Sequence, residues 1–378
     1  RKLPFTDKSV LRDTFPYGLF AVSLDEVVEL HASSGTTGKP IVVGYNAHDM
    51  DLWADCIMRL VQMAGVVPGD RAQMAFGYGM FTGGFGLHYG LQKLGCMMIP
   101  AGSGNTERHI AMIEDYGTTV LVATPSYALH MCEVGEQMGF DWKASTLRVG
   151  LFGGEPCPPG LKAEIEGRMH IVCTDNYGLT EVMGPGVSGE CLASRDMQHI
   201  AEDHFLWEVV DPDTGEPVPD GEEGELVLTP LGKQAIPVLR YRTHDLTRVT
   251  CEPCACGRTH ARMRKVRSRS DDMLIIRGTN VFPSQVEDVL AGIEGVAPHY
   301  RIVVDTARGL DRMTVHAELK PEAFSDSFQQ MEALRRLVEE RLKGVLLVGA
   351  RVKLVEPGGI ERTTGKARHV EDRRKPSA

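Results

Sequence analysis

A loop of glycine and hydroxyl residues spans Ser33–Pro40, with the sequence SSGTTGKP, and follows the apolar run Val27–Leu30. Gly35 and Gly38 allow backbone conformations that other residues avoid, so successive N–H groups can point into one concavity. This pattern is typical of a phosphate-binding loop. It differs from a Walker A loop because two residues separate its glycines and a proline follows the lysine, where a magnesium-binding Ser or Thr would stand. A solvated polar turn is the alternative interpretation.

A second group that could do chemistry is the pair Cys254 and Cys256, which one residue separates and Gly257 follows. Two thiolates at this spacing can point to a common centre, and the glycine permits the tight turn of a metal knuckle. A closed tetrahedral zinc site requires two further ligands. The sequence therefore predicts a structural zinc site, with unliganded thiols as the alternative.

Two residue pairs could complete this zinc site: Cys251 with His260, or Cys191 with His199. Cys191 and His199 flank a turn expected at Asp196, which would set them across a hairpin. We favour this second pair, because a hairpin pair and a knuckle pair would join two segments of the chain, as a structural zinc does.

The elements that must position these groups follow from the spacing of apolar residues. Asp51–Ala64 carries apolar residues at helical spacing, whereas Thr119–Ala123 and Leu147–Phe152 are short apolar runs typical of buried strands. Helical and strand patterns alternate between about residues 50 and 175. This alternation predicts an α/β fold with a wound sheet.

Short strands separated by Asp-Gly and Asp-Thr-Gly turns dominate the next part of the chain and predict a β-rich subdomain. Beyond the polar stretch Arg262–Asp272, Ser284–Glu287 matches a capping box that would open a helix, and further strand and helix patterns follow. We therefore predict three parts: an α/β part at 1–185, the β-rich subdomain at 186–270, and a small α+β C-terminal domain at 271–378.

The composition, 42% hydrophobic and 24% charged over 378 residues, excludes disordered and fibrous classes. A net charge of -10 opposes general attraction to nucleic acid or to anionic membranes. No apolar run approaches the ~20 residues that span a bilayer, and the start of the chain lacks the apolar core of a signal peptide. These two observations predict a cytoplasmic location. The nine cysteines lie mostly singly in apolar stretches, which indicates reduced thiols rather than a disulfide framework. Because the chain begins at Arg1 without a Met, we also expect residues to precede it.

Seven motifs, in the same order over nearly the whole chain, resemble those of the adenylate-forming superfamily and most closely those of its phenylacetate–CoA ligase family. They are Ser33–Pro40, Phe76–Gly84, Phe152–Pro156, Asp175–Glu181, Tyr241–Asp245, Arg269–Gly278 and Thr364–Lys366. One such match could arise by chance, but seven in order hardly could.

The resemblance implies a large AMP-binding domain, of which 1–185 is the α/β part, and a small mobile C-terminal domain. It implies a ligase that uses ATP and Mg²⁺ to convert an aryl acid, such as phenylacetate, to its acyl-adenylate, and then transfers the acyl group to coenzyme A. It also implies a homodimer, and it gives the zinc a structural role only. Two alternatives stay open: an adenylating enzyme that loads a carrier-protein thiol, and an inactive zinc-stapled nucleotide-binding module.

The resemblance also implies which residues bind the nucleotide. They are Ser33, Ser34, Gly35, Thr36, Thr37, Gly38 and Lys39 in the first loop, Gly153, Gly154 and Glu155 on the adenine side, and Asp175, Asn176, Tyr177, Gly178, Thr180, Asp245 and Arg269. Tyr177 would stack on adenine, and Asp245 would accept hydrogen bonds from both ribose hydroxyls. Arg269 would contact phosphate or ribose. The family usually has Gly where this chain has His244, which leaves the turn before Asp245 open.

Three residues are implied in catalysis: Thr180, Glu181 and Lys366. Thr180 would hydrogen-bond the α-phosphate, and Glu181 would coordinate Mg²⁺. Lys366 would bridge the substrate carboxylate and the α-phosphate, with a solvated lysine of the basic tail as the alternative.

Two further implications concern domain movement and the acid pocket. Asp271 matches the family hinge, around which the small domain would rotate after adenylation. Tyr78, Phe81 and Gly83 would line the acid pocket, although a stripe of glycine and aromatic residues also fits simple packing.

Overall fold

The computed structural model describes residues 2–33, 40–266, 268–270, 274–277, 279–307, 310–324, 327–361 and 369–374. The chain divides into two compact units. The first comprises Arg1–Cys157 and Lys162–Val266, and the second comprises Pro158–Leu161 and Arg267–Ala378.

The described elements up to residue 266 mix helices and strands as far as residue 169, and those from residue 172 onward are strands. The helices are α1 (Lys8–Asp13), α2 (Ala47–Met63), α3 (Thr82–Leu94), α4 (Thr106–Asp115), α5 (Pro125–Gln137) and α6 (Pro159–Met169), with a 3₁₀ turn at Leu24–Glu26. The strands are β1 (Val27–Ala32), β2 (Val42–Asn46), β3 (Arg71–Met74), β4 (Met97–Ile99), β5 (Val120–Ala123), β6 (Val149–Phe152), β7 (Val172–Leu179), β8 (Gly184–Cys191), β9 (Ser194–Ile200), β10 (Phe205–Val210), β11 (Gly224–Pro230), β12 (Tyr241–Thr247), β13 (Val249–Thr250) and β14 (Arg262–Arg264).

A mixed sheet of nine strands forms the centre of the first unit, in the order β13-β14-β9-β8-β7-β6-β5-β3-β4. Strands β4, β3, β5, β6 and β7 are parallel, and their register places Phe152 beside Asp175 at the end of β6. Because the carboxyl ends of parallel strands meet at one edge, the residues after β6 and along β7 come together there. Two antiparallel groups complete the unit: the hairpin β1–β2 and the strands β10, β11 and β12.

Helix α2 shows how the local sequence produces one of these elements. Asn46 caps the helix by accepting a hydrogen bond from the Asp49 N–H (2.9 Å), and the Asp49 carboxylate accepts one from the Asn46 N–H (3.4 Å). Trp53, Ile57, Leu60 and Val61 are buried on one face of the helix. The helix predicted from the apolar spacing of Asp51–Ala64 is therefore confirmed.

The second unit is a small α+β unit. Its described elements are β15 (Ser268–Arg269), β16 (Leu274–Ile276), β17 (Thr279–Val281), α7 (Pro283–Ala291), β18 (Val296–Ala307), β19 (Leu310–Leu319), α8 (Phe328–Leu346), β20 (Arg351–Val355) and β21 (Val370–Asp372), with a 3₁₀ turn at Pro321–Ala323. Strands β20-β19-β18-β21 form one sheet, and β16 pairs with β17. The buried faces of α7 and α8 share one apolar core with this sheet, formed in part by Val286, Leu290, Val304, Val338 and Leu342.

The capping box predicted at Ser284 is wrong. Helix α7 begins at Pro283, and its N-cap residue is Phe282, two residues before Ser284. The Gln285 side chain accepts the Phe282 N–H at 2.9 Å. The physical reason is that proline, with its fixed φ and no N–H, is well suited to the first position of a helix.

The predicted fold class is confirmed: a wound α/β sheet with a β-rich region in the large part, and a small α+β part after it. Several strands of the β-rich region, β8, β9, β13 and β14, extend the large sheet rather than forming a separate one. The boundaries predicted at residues 185 and 270 stay predictions. In the part of the chain that the structure describes, no helix is long and apolar enough to cross a membrane.

Candidate active site and metal centre

The loop after β6 and the second half of β7 lie side by side at the carboxyl-terminal edge of the parallel strands. The Asn176 side-chain amide donates a hydrogen bond to the Phe152 carbonyl oxygen (2.5 Å), which ties the two strand ends together. Gly154 has a φ of +82°, a conformation that side chains rarely adopt. Glu155 accepts a hydrogen bond from the Ser126 N–H at 2.7 Å, at the start of α5. The predicted adenine-side residues Gly153–Glu155 therefore border the predicted motif on β7.

Tyr177 and Asp245 meet across two strands. The Tyr177 hydroxyl donates a hydrogen bond to Asp245 Oδ2 at 2.5 Å, and Asp245 is buried on β12. His244 has a φ of +62°, so it adopts the left-handed conformation for which glycine is suited. The turn that the sequence left open thus keeps the glycine-type backbone although the residue is histidine.

Thr180 and Glu181 follow Tyr177 in the turn after β7. The hydroxyl oxygens of Thr180 and Thr82 lie 3.1 Å apart, and Lys8 Nζ lies 3.7 Å from Glu181 Oε1. Close approach of the chain is required here, because a Cβ at Gly178 would lie 2.0 Å from the Gly184 carbonyl oxygen. Sequence reasoning missed Lys8, since a lysine in a short helix carries no recognisable pattern.

The residues predicted for the acid pocket fall around the start of α3. The Tyr78 hydroxyl lies 2.8 Å from His88 Nδ1, and its ring packs edge-on against Phe85 with 5.1 Å between centroids. Burial raises the pKa of Tyr78 to about 12 and lowers the pKa of His88, so the neutral forms of both are favoured. Phe81 is exposed at the helix N-cap, and Gly83 lies in the first turn of α3.

A half-buried carboxylate that sequence reasoning missed lies next to this aromatic group. Glu29 accepts a hydrogen bond from the Tyr89 hydroxyl at 2.6 Å, and its other oxygen lies 2.6 Å from His31 Nε2. Burial raises the pKa of Glu29, but the hydrogen bonds from His31 and Tyr89 outweigh burial and lower it overall. Only the contact between β1, which carries Glu29 and His31, and Tyr89 of α3 reveals this set.

Eight of the predicted site residues lie outside the described residues: Ser34, Gly35, Thr36, Thr37, Gly38, Lys39, Asp271 and Lys366. Ser33 is described, and its hydroxyl accepts a hydrogen bond from the Ile41 N–H (3.3 Å) where the β1–β2 hairpin closes. Arg269 lies on β15, in the second unit.

The four favoured metal ligands lie together. One ligand atom each from Cys191, His199, Cys254 and Cys256 lies within 4.8 Å of all the others. Cys191 Sγ is 3.8 Å from Cys254 Sγ, and Cys256 Sγ is 3.4 Å from His199 Nε2. Cys251, by contrast, is exposed. Three thiols and one imidazole at these distances fit the donor set of a structural zinc site.

The hairpin between Cys191 and His199 is present, but its predicted turn is wrong. Strand β8 ends at Cys191 and β9 begins at Ser194, so the chain turns at Leu192 and Ala193, and Asp196 lies within β9. The shorter turn arises because strand pairing continues to Cys191↔Ser194, with His199 opposite Gly189.

The cysteines of this cluster differ in acidity. Burial raises the pKa of Cys191 to about 11. Burial also acts to raise the pKa of Cys256, but hydrogen bonds from Arg258, Cys254 and Cys191 outweigh it and lower that pKa to about 7. A thiol that ionises near neutral pH is suited to metal binding, because the thiolate is the ligand.

Family models match most of the chain. The model for the AMP-binding enzyme covers residues 18–231, and the model for the AMP-binding enzyme C-terminal domain covers residues 278–374. The chain is therefore an AMP-binding enzyme, with the large and the C-terminal domain of that class.

Curated relatives show to which family of AMP-binding enzymes the chain belongs. The chain is 48% identical to phenylacetate-coenzyme A ligase of Aromatoleum evansii over 99% of its own length and 84% of that protein, and 46% identical to the Escherichia coli (strain K12) enzyme of the same name over 99% and 85%. The chain belongs to the phenylacetate–CoA ligase family. Among solved structures, 2-hydroxyisobutyryl-CoA ligase in the postadenylation state with R3-HIB-AMP is 28% identical, with a TM-score of 0.91 over 99% of this chain and 80% of that one.

Proposed function

We propose that this chain is an AMP-forming aryl acid–CoA ligase. In the first step a carboxylate oxygen of the acid attacks the α-phosphorus of ATP, the bond to the β-phosphate oxygen breaks, and pyrophosphate leaves. In the second step the sulfur of coenzyme A attacks the acyl carbon, the acyl–oxygen bond breaks, and AMP leaves. The observation that carries the proposal is the meeting of Tyr177 and Asp245 beside Thr180 and Glu181.

Each of these residues has a separate role in the adenylation step. The Tyr177 ring stacks on adenine, Asp245 accepts the ribose hydroxyls, and Thr180 donates to the α-phosphate. Glu181 would hold Mg²⁺, which when bound would supply the positive charge that the phosphates require in the first step. Lys366 adds a second positive charge at the attacking carboxylate. The barrier falls mainly because these groups position the reactants and neutralise their charges.

The substrate is an aryl acid of the phenylacetate type. Support comes from the aromatic set at Tyr78 and Phe85, which offers apolar surface, while Tyr78 and His88 stay neutral at physiological pH. Relatives named phenylacetate-coenzyme A ligase support the same class of acid and coenzyme A as the acceptor. A carrier-protein thiol is the alternative acceptor.

Pyrophosphate release tests the proposal. The chain is supplied with ATP, Mg²⁺ and one member of a panel of aryl and short aliphatic acids, with and without coenzyme A. We expect release that depends on an aryl acid, and acyl-CoA when coenzyme A is present. No release with any acid would overturn the ligase, and release without acyl-CoA would favour the carrier-protein thiol.

We also propose that Cys191, His199, Cys254 and Cys256 hold a structural zinc ion. It would join the β8–β9 hairpin to the segment before β14, and it takes no part in the reaction. Support comes from the spacing of the four ligand atoms and from the exposure of Cys251. The cytoplasmic location and the homodimer expected from the sequence stay predictions.

A further inference from the structure

Four charged side chains lie together where the proposed nucleotide-binding motif, Asp175–Glu181, begins. Lys162 lies on α6, Asp175 on β7, Glu190 on β8, and Lys265 just after β14. Lys162 is 6% exposed, Asp175 8% and Glu190 1%. Charged groups are rarely buried unless they are paired, because the loss of hydration is costly. We therefore expect this buried charge cluster to have a role other than packing.

Glu190 is the centre of the buried charge cluster. Its Oε2 lies 2.6 Å from Lys162 Nζ and accepts a hydrogen bond from the Asp175 backbone N–H at 2.7 Å. Its Oε1 lies 2.7 Å from Lys265 Nζ, which is 3.9 Å from Asp175 Oδ2. Two lysines thus hold the carboxylate in place, while one of its oxygens holds the backbone of the motif.

The backbone N–H of Asp175 lies where the pairing of β7 changes from β6 to β8. Asp175 pairs in parallel register with Phe152 of β6, and the next residue, Asn176, pairs in antiparallel register with Gly189 of β8. A strand that changes partners has a backbone group there that needs its own acceptor, and Glu190 provides it. The residues immediately after this point are Asn176 and Tyr177, which bond to Phe152 and Asp245.

We propose that Glu190 is a positioning residue for nucleotide binding, which fixes the Asp175 backbone so that Asn176 and Tyr177 are correctly placed for the adenosine. This inference rests on the proposed function, since it assigns Tyr177 to the adenine. Glu190 acts through the backbone of the motif and touches neither substrate nor cofactor. Lys162 and Lys265 hold its carboxylate without contacting the motif's N–H.

The experiment compares Lys162→Met with the double variant Lys162→Met/Glu190→Met. In Lys162→Met, Glu190 still has Lys265 and still accepts the Asp175 N–H; the double variant lacks this acceptor but keeps Lys265 next to Asp175. Binding of AMP is measured by titration calorimetry. The expected result is a Kd for AMP about tenfold higher in the double variant than in Lys162→Met, the scale of a lost hydrogen bond to a charged group. Glu164→Gln on the same helix, whose carboxylate pairs with Arg168, is the control and should bind AMP as the wild type does.

A second readout separates positioning from general stability. The double variant should raise the KM for ATP about tenfold relative to Lys162→Met, while turnover at saturating ATP and the KM for coenzyme A change less than twofold. Equal AMP affinity in the two variants, with only a lower melting temperature in the double variant, would overturn the inference. Failure of the wild type itself to bind AMP would instead overturn the proposed function, so the two failures are distinguishable.

Discussion

The Tyr177 hydroxyl donates a 2.5 Å hydrogen bond to Asp245 Oδ2, although 68 positions separate the two residues. Tyr177 lies on β7, two residues beyond its last parallel pair, and Asp245 lies on β12. The bond orients the phenol ring and the carboxylate before any nucleotide arrives. Groups held in place beforehand lose less conformational freedom on binding, so this pair prepares the proposed adenosine site.

Changes to this pair should separate stacking from hydrogen bonding. Tyr177→Phe keeps the ring and should weaken AMP binding about threefold, because only the orienting bond is lost. Asp245→Ala removes the proposed acceptor of the ribose hydroxyls and should weaken binding at least tenfold. Titration calorimetry with AMP measures both. A larger loss for Tyr177→Phe than for Asp245→Ala would contradict the assigned roles.

The left-handed backbone of His244 predicts a difference between two substitutions. His244→Gly should be more stable than His244→Ala by about 1 kcal/mol, since a Cβ is disfavoured in this conformation. Both remove the imidazole, so its contact with Glu225, with 3.6 Å between Nδ1 and Oε1, is lost in each. Urea unfolding of the two variants gives the comparison. Equal stability would mean that the conformation carries no strain here.

Lys366→Ala should abolish adenylation and leave thiol transfer from preformed acyl-adenylate largely unchanged. The reason is that the proposed role of Lys366 is to neutralise charge in the first step only. Pyrophosphate release measures the first step, and acyl-CoA formation from supplied acyl-adenylate measures the second. Equal loss of both steps would show that the role is misassigned.

Metal content tests the zinc proposal. The purified protein should hold about one zinc per chain by mass spectrometry of the metal, as four ligands complete a structural site. Cys254→Ser/Cys256→Ser should lose the metal and melt at a lower temperature, because binding free energy contributes to folding. The exposed Cys251 offers a matched control, and Cys251→Ser should keep the zinc. Loss of zinc in that control would favour the alternative ligand pair.

A buried lysine gives a pH-dependent prediction. Lys233 Nζ lies 4.0 Å from the Tyr45 ring centroid and has no hydrogen-bond partner among the described residues. Burial lowers the pKa of Lys233 from 10.5 to about 7, although the nearby Asp49 acts to raise it. Between pH 7 and 10.5 the unfolded chain binds more protons at Lys233 than the folded chain does, so the free energy of unfolding rises with pH in this range. Below the folded-state pKa, Lys233 destabilises the folded state by its full amount.

Lys233→Met should therefore increase the free energy of unfolding, and the increase should be larger at pH 6.5 than at pH 9. The difference between the two pH values should be about 2 kcal/mol, from roughly 1.4 kcal/mol per pH unit. Urea unfolding of wild type and variant at both pH values measures it. The same increase at both pH values would show that Lys233 is not forced towards its neutral form.

Much of the fold and of the site could be predicted from local patterns. Helical spacing predicted α2, and short apolar runs predicted β5 and β6, because each element buries a face that its own sequence defines. The β7 motif and the CxC pair were found because their chemistry needs particular residues at short spacing. The capping box at Ser284 and the turn at Asp196 were wrong, since a proline and a longer strand pairing set those boundaries instead.

The sequence by itself determined which residues are proposed to carry the chemistry, and the tertiary structure decided which of them meet. The sequence left both candidate pairs of zinc ligands open. The register of β8 and β9 and the position of the Cys254–Cys256 segment bring Cys191, His199, Cys254 and Cys256 together. The bond between Tyr177 and Asp245 and the burial of Glu190 under the motif were equally invisible. Contacts between residues distant in sequence depend on strand order and register, which cooperative packing of the whole core establishes and no local pattern encodes.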